Sequence, residues 1–170
     1  MTNNSPSLDD ITIRNTLEAG DMGYIIYLHG YLYKKEYNFG ISFETYVAQS
    51  LREFYDQYDP ATNRVWVCEH QGRMIGFMSL MNRGNAAQLR YFIIEPEYRG
   101  IGLGKKLMEL CMDFFNQCHY KSCYLWTTQE LRAAAALYTR HGFKLTDEKN
   151  STEFGKPLVQ QRYEYSQKDR

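Results

Sequence analysis

The run from Tyr91 to Phe115, YFIIEPEYRGIGLGKKLMELCMDFF, constrains the fold more than any other part of the chain. An apolar stretch ends at Pro96, glycines follow at alternate positions (Gly100, Gly102, Gly104), and Leu103, Leu107, Leu110, Cys111, Phe114 and Cys118 recur on one helix face. This pattern predicts a strand, a tight loop and an amphipathic helix. Glycines at 102 and 104 let the backbone approach a bulky anion with no Cβ in the way. The unpaired N–H groups of a helix's first turn, aided by the helix dipole, then attract negative charge. Two common owners of such a loop fail on spacing. GxxxxGK[ST] finds Arg99 in place of its first glycine and Lys106 in place of Ser or Thr. GxGxxG finds Lys105 or Leu107 in place of its last glycine. What remains is Arg-x-x-Gly-x-Gly from Arg99 to Gly104, with Lys105 and Lys106 adding charge. Taken by itself, the loop is also compatible with a plain glycine turn.

The flanking sequence supplies the rest of a mixed architecture. A first strand is expected over Ile11–Thr16. Asp21 is expected to cap a helix from Met22 to Tyr37, with Ile25, Leu28, His29 and Leu32 on one face, and Ser42 a second helix carrying Phe43, Val47, Leu51, Phe54 and Tyr58. DPATN breaks the chain. RVWVCEH and RMIGFMSLM, joined by QG, read as a hairpin, and AQLRYFIIEP as the next strand. After the glycine-led helix come a buried strand, SCYLWTT, a helix over ELRAAAALYTRHG closed by Gly142, and two more strands, FKLTDEK and LVQQRYEY. The order predicts one α/β (α+β) domain over residues 1–170: a mixed, mostly antiparallel sheet with helices on both faces. Residues 1–10 and 166–170 are polar and expected to be loose.

Composition narrows the function. Lys plus Arg equals Asp plus Glu, 20 of each, so no global field argues for nucleic acid or a membrane surface as partner. No stretch approaches the roughly 20 apolar residues that span a bilayer. MTNNSPSLDD has neither a basic nor an apolar leader segment, so a cytoplasmic location is expected. Cys68, Cys111, Cys118 and Cys123 form no CxxC, and the histidines do not pair with them at ligand spacing; free thiols and no metal site are expected.

In order and spacing these motifs resemble the GNAT superfamily of acetyl-CoA-dependent N-acetyltransferases. FIIEPEYRGIGLGKKLMELCMDFF is similar to the family's strand–loop–helix for the coenzyme A pyrophosphate. CYLWTT is similar to its next strand, AAALYTRHGFKL to its second signature, and EHQGRMIGFMSL to its upstream hairpin. GDMGYIIYLHGYLYKKEYNF and FGKPLVQQRYEY further resemble the acetyltransferase module fused in some proteins to MarR-type regulators. The resemblance implies a GNAT-type sheet and direct transfer of acetyl from acetyl-CoA to a primary amine of a small molecule or peptide. A homodimer is compatible with it. The rival expectation is a coenzyme A-binding sensor without turnover.

Site residues follow from the same resemblance. Backbone groups around Phe92, Ile93 and Ile94 would hold the pantetheine arm, at an edge freed by splaying from Tyr124–Thr127. Arg99, Gly100, Ile101, Gly102, Leu103, Gly104, Lys105 and Lys106 would hold the pyrophosphate. Tyr138 corresponds to the tyrosine that protonates the departing thiolate; a phenol of pKa about 10 suits a thiol of about 8.5. Packing is the alternative role for Tyr138. The family's frequent glutamate base corresponds to Gln88, which leaves Glu95 as the nearby candidate, with Glu36, Glu69 and His29 acting through water. Leu131 replaces a pantetheine-binding asparagine, so Thr127 or Thr128 is expected to substitute. His29, Tyr33 and Glu36 share a helix face and, with Tyr24, Tyr31, Tyr37 and Phe39 nearby, are expected to wall the acceptor pocket, or else to border the core. Trp66 and Trp126 are expected in the core.

Overall fold

A computed structural model describes residues 5–167; residues 1–4 and 168–170, within the ends expected to be loose, lie outside the described residues. The elements follow the order β1 (Thr12–Arg14), α1 (Asp21–Tyr37), α2 (Ile41–Asp56), β2 (Arg64–His70), β3 (Arg73–Arg83), β4 (Ala86–Ile94), α3 (Leu103–Gln117), β5 (Ser122–Thr128), α4 (Arg132–Arg140), β6 (Lys144–Ser151) and β7 (Leu158–Ser166). They build one seven-stranded sheet in the order β1-β2-β3-β4-β5-β7-β6. The β4–β5 pair is parallel and all others are antiparallel.

Helices cover both faces, and each face has its own core. On one side α1 and α2 bring Ile25, Leu28, Phe43 and Phe54 against Val65, Phe77, Tyr91 and Ile93. On the other side α3 and α4 bring Leu107, Phe115 and Tyr138 against Met78, Leu89 and Leu125. Met74 to Met81 of β3 is therefore buried without interruption, as a strand covered on both faces must be. The β2–β3 turn has positive φ at both Gln71 (52°) and Gly72 (74°), the hairpin geometry whose twist matches the flanking strands. β6, exposed along almost all its length and rich in charge, closes the sheet as an edge that resists further pairing.

Two features of β4 position the site. The register with β3 shifts between Phe77 and Ser79, and Tyr91 takes a left-handed φ of 56°. This bulge reverses the sides of the strand: Ala87 and Leu89 enter the α3/α4 core, whereas Tyr91 and Ile93 enter the α1/α2 core. The pairing of β4 with β5 then stops early, joining only Ala86–Gln88 to Ser122–Tyr124. β5 stays paired with β7 through Thr128, so β4 leaves the ladder and a wedge opens between the two strands.

Three local expectations are corrected. Gly20 (φ 99°), not Asp21, precedes the first turn of α1; the Asp21 carboxylate instead accepts bonds from Arg14 and from the Glu18 N–H. Gly40, not Ser42, starts α2: its N–H donates to the Phe154 carbonyl at 2.8 Å, and the Phe154–Gly155 turn packs so closely on it that a Cβ at Gly155 would meet the Gly40 Cα at 3.0 Å. Residues 7–10 are ordered by a reciprocal Ser7–Asp10 cap, with Leu8 packed on the core.

Candidate active site

The wedge opens into a cavity of about 150 Å³ whose lining comes from both faces of the sheet. Gln88–Phe92 of β4 and Leu125–Thr128 of β5 form its walls, Leu131, Ala134 and Tyr138 close the α4 side, and His29, Tyr33, Phe43 and Tyr46 close the α1/α2 side.

The glycine loop stands beyond the far end of β4. Gly100 and Gly102 have φ of 77° and 91°, a region that glycine enters without strain. Gly102 is the N-cap of α3 and supplies no capping side chain. Lys106 N–H makes the first intrahelical bond, to the Gly102 carbonyl, so the N–H groups of Leu103, Gly104 and Lys105 remain available to an anion. The Leu103 side chain, 1% exposed, anchors this turn in the core. Gly104 departs from expectation. A Cβ there would meet Leu137 at 3.2 Å and Phe92 at 3.7 Å, so its lack of a side chain serves the close approach of α3 to α4 and β4.

Arg99 and Glu36 also depart from expectation, because they satisfy each other. Two guanidinium–carboxylate bonds of 2.8 Å join them, and Arg99 Nε donates to the Ile94 carbonyl. The pair ties the loop to α1. It leaves neither a free charge for a phosphate nor an acidic wall for an acceptor. Lys105 and Lys106 remain exposed.

Tyr138 reaches the cavity from α4 and is only 5% exposed. Burial, reinforced by nearby Tyr33, pushes its phenol well above the usual range. Its ring lies against Phe92, Phe143 and Tyr163 with centroids 6.2 Å apart in each case. Thr128 Oγ1 lines the same space, buried and without a hydrogen-bond partner. A buried orphan hydroxyl beside an unpaired strand edge is a site waiting for a polar ligand, and both fit the amide-bearing arm of coenzyme A. Thr127 and Leu131 border it as well.

No aspartate or glutamate lines the cavity among the described residues. Glu95, the expected base candidate, lies outside it, ion-paired with Arg73 and accepting the Tyr24 hydroxyl at 2.7 Å. Glu69 pairs with Arg14. Gln88 does face the cavity, its amide oxygen accepting from Arg83 Nε at 2.9 Å. His29 is buried in the cavity wall with its pKa pushed down to about 4 by desolvation. Its Nδ1 lies 2.8 Å from the Ile25 carbonyl, so Nδ1 carries the proton and Nε2 is the bare acceptor. Tyr33 stacks on His29 and lies tilted against Phe43, their ring centroids 4.5 Å apart.

Sequence reasoning passed over Tyr46, Arg90, Phe154 and Gln160, all lining the cavity. It also assigned Trp126 to the core. Trp66 is a core residue at 3% exposure, but Trp126 is half-buried, lines the cavity and has Lys149 Nζ 4.8 Å above its ring. Arg90 was within reach: strand parity places it beside Gln88.

Comparison with known proteins agrees with this geometry. The family described as Acetyltransferase (GNAT) domain matches residues 61–145, half of the chain. The uncharacterized N-acetyltransferase YjgM of Escherichia coli (strain K12) is 32% identical over 102 residues, covering 58% of this chain and 61% of that protein. N-acetylaspartate synthetase of Xenopus tropicalis is 33% identical over 81 residues, covering 46% of this chain and 30% of that protein. The match thus spans less than two thirds of either relative. The structure of yncA, a putative acetyltransferase from Salmonella typhimurium with its cofactor acetyl-CoA, superposes with a TM-score of 0.70 at 18% identity, covering 95% of this chain and 96% of that one. Sheet, wedge and family match converge: the chain belongs to the GNAT acetyltransferase family.

Proposed function

We propose that this chain transfers the acetyl group of acetyl-CoA directly to a primary amine inside the wedge between β4 and β5. The observation that carries the reading is the meeting, in one cavity, of an unpaired β4 edge with the buried Tyr138 phenol. Acetyl-CoA-dependent acetylation of amines is the family's general reaction, and acetyl-CoA bound to the yncA neighbour supports this cofactor here. Acetyl-CoA supplies an acetyl group activated as a thioester.

The chain's own groups divide the remaining work. The N–H groups of Leu103, Gly104 and Lys105, helped by Lys105 and Lys106, hold the pyrophosphate, while Arg99 braces the loop through Glu36. Backbone groups from Phe92 to Ile94 pair with the pantetheine arm as a neighbouring strand would, and Thr127 and Thr128 take the place of the missing asparagine. Backbone N–H groups re-aimed by the bulge at Tyr91 face the carbonyl oxygen as charge develops on it. Tyr138, kept neutral by burial, gives its proton to sulfur as the C–S bond breaks. The surplus ammonium proton of the acetylated amine then restores the phenol.

With no carboxylate lining the cavity among the described residues and His29 neutral and weakly basic, the acceptor reacts as the free amine delivered by solvent. The test is free-thiol release from acetyl-CoA across a panel of amines. A second reading, a coenzyme A sensor without turnover, is favoured by Gln88 and Leu131, which stand where the family often has a base and a pantetheine-binding asparagine. Coenzyme binding with no thiol release on any amine would select it.

A further inference from the structure

Charge inside the cavity bears on the chemical class of the acceptor, an inference that rests on the transferase reading above. Among the described residues that line the cavity, Arg90 carries the one formal charge at neutral pH, His29 being neutral. It stands on the α1/α2 side of β4, beside Gln88 and opposite the side that Tyr138 closes. Its Nη2 donates to the Tyr46 hydroxyl at 3.1 Å, and its guanidinium carbon stacks 4.8 Å over the Tyr91 ring. These contacts orient the guanidinium without neutralising it. Arg14, Arg73 and Arg99 each have a carboxylate partner, whereas Arg90 has none among the described residues.

Of the acids behind the cavity wall, Glu36 is bound by Arg99 and Glu130 by Lys156. Glu153 keeps its charge but is screened from the cavity by Gln160, which donates to it at 2.9 Å. Lys149 over Trp126 and Arg83 on Gln88 add positive charge at the rim. A polycationic acceptor would place its second charge beside Arg90 with no carboxylate to receive it, a costly arrangement in a partly enclosed space. A carboxylate, by contrast, matches the guanidinium fork and supplies the missing counter-ion. Phe43, Trp126 and Phe154 offer flat apolar area for the rest of the molecule.

We infer that the acceptor amine also bears a carboxylate, as an amino acid does, and that Arg90 binds it. The inference is tested without turnover, by calorimetric titration of the coenzyme A-saturated protein. The probes are N-acetylglycine, N-acetylaspartate and N-acetyl-L-phenylalanine, with N-acetylphenethylamine as the carboxylate-free match of the last. At least one carboxylate-bearing probe is expected to bind, and N-acetyl-L-phenylalanine tenfold or more tighter than its match. Arg90→Gln is expected to abolish that preference and Arg90→Lys to restore part of it, with coenzyme A affinity reporting that each variant is folded. Equal binding of the matched pair, a preference that persists in Arg90→Gln, or no binding by any probe would overturn the inference. Thiol release with phenylalanine, phenethylamine and spermidine separates the two claims. Arg90-dependent binding without turnover would overturn the transferase reading alone. Faster turnover of phenethylamine or spermidine than of phenylalanine would overturn the acceptor inference alone.

Discussion

On the α3/α4 side of the cavity the groups facing a ligand are mostly main chain: the free N–H groups of Leu103, Gly104 and Lys105, and the edge that β4 exposes once it leaves β5. On the α1/α2 side they are side chains: His29, Tyr33, Phe43, Tyr46 and Arg90. A donor common to a whole family can be held by backbone geometry, which tolerates much substitution elsewhere. An acceptor that differs from one family member to the next must be read by side chains. The comparison therefore predicts that substitutions on the first side act through backbone shape and on the second through chemistry.

Gly102 offers the largest expected effect on the donor side. Any side chain there carries the strain of φ 91°, worth about 1–2 kcal/mol for an L-residue, and the space beyond is open apart from Leu8 at 3.8 Å. Gly102→Ala is expected to lower stability yet retain acetyl-CoA binding, and Gly102→Glu to lose binding by about 100-fold or more because its carboxylate meets the phosphate. Fluorescence or calorimetric titration reads both. Similar losses in the two variants would mean that strain, not charge, decides. Tyr138→Phe comes next: kcat is expected to fall about 100-fold, the scale of a lost general acid, with acetyl-CoA affinity unchanged.

His29 sharpens the other side. Its pKa of about 4 lies below the ordinary value of 6.5, so the unfolded chain takes up the proton first as pH falls. Stability is then full above about pH 6.5 and declines toward pH 4, by on the order of 3 kcal/mol. Thermal unfolding across that range should show the decline, and His29→Phe should flatten it. In the same window kcat/KM is expected to rise with pH along the acceptor's own ammonium titration, with no limb from an enzyme carboxylate. The smallest effect belongs to Glu36→Gln. It removes a partly solvated ion pair worth about 0–1 kcal/mol, so Tm should move little while KM for acetyl-CoA rises a few-fold through a looser loop.

The donor side was far more legible in the sequence than the acceptor side. Helix α3 announced itself through Leu103, Leu107, Cys111 and Phe114, and the β2–β3 turn through Gln71–Gly72, because local pattern and tertiary role agree there. The bulge at Tyr91 left no trace. Ala87, Leu89, Tyr91 and Ile93 are all buried, so their period of two runs on unbroken while the face they point to changes. Ser42 and Asp21 carried strong capping signals, but Arg14 claims Asp21 and a backbone contact with Phe154 fixes Gly40. The Arg99–Glu36 pair joins residues 63 positions apart, and no local spacing reveals such a partner. Gln88 stands where the resemblance places a base and draws the eye for that reason. Its neighbour by parity, Arg90, was the more informative residue of that strand face.

The most direct test of the account is thiol release from acetyl-CoA by the wild-type chain and by Tyr138→Phe, measured across amino acids and their decarboxylated amines with acetyl-CoA affinity determined in parallel. The account predicts amine-dependent release in the wild type that falls about 100-fold in the variant at unchanged acetyl-CoA affinity. Amine-dependent release at equal rates in both proteins, or none in the wild type despite tight acetyl-CoA binding, would contradict it.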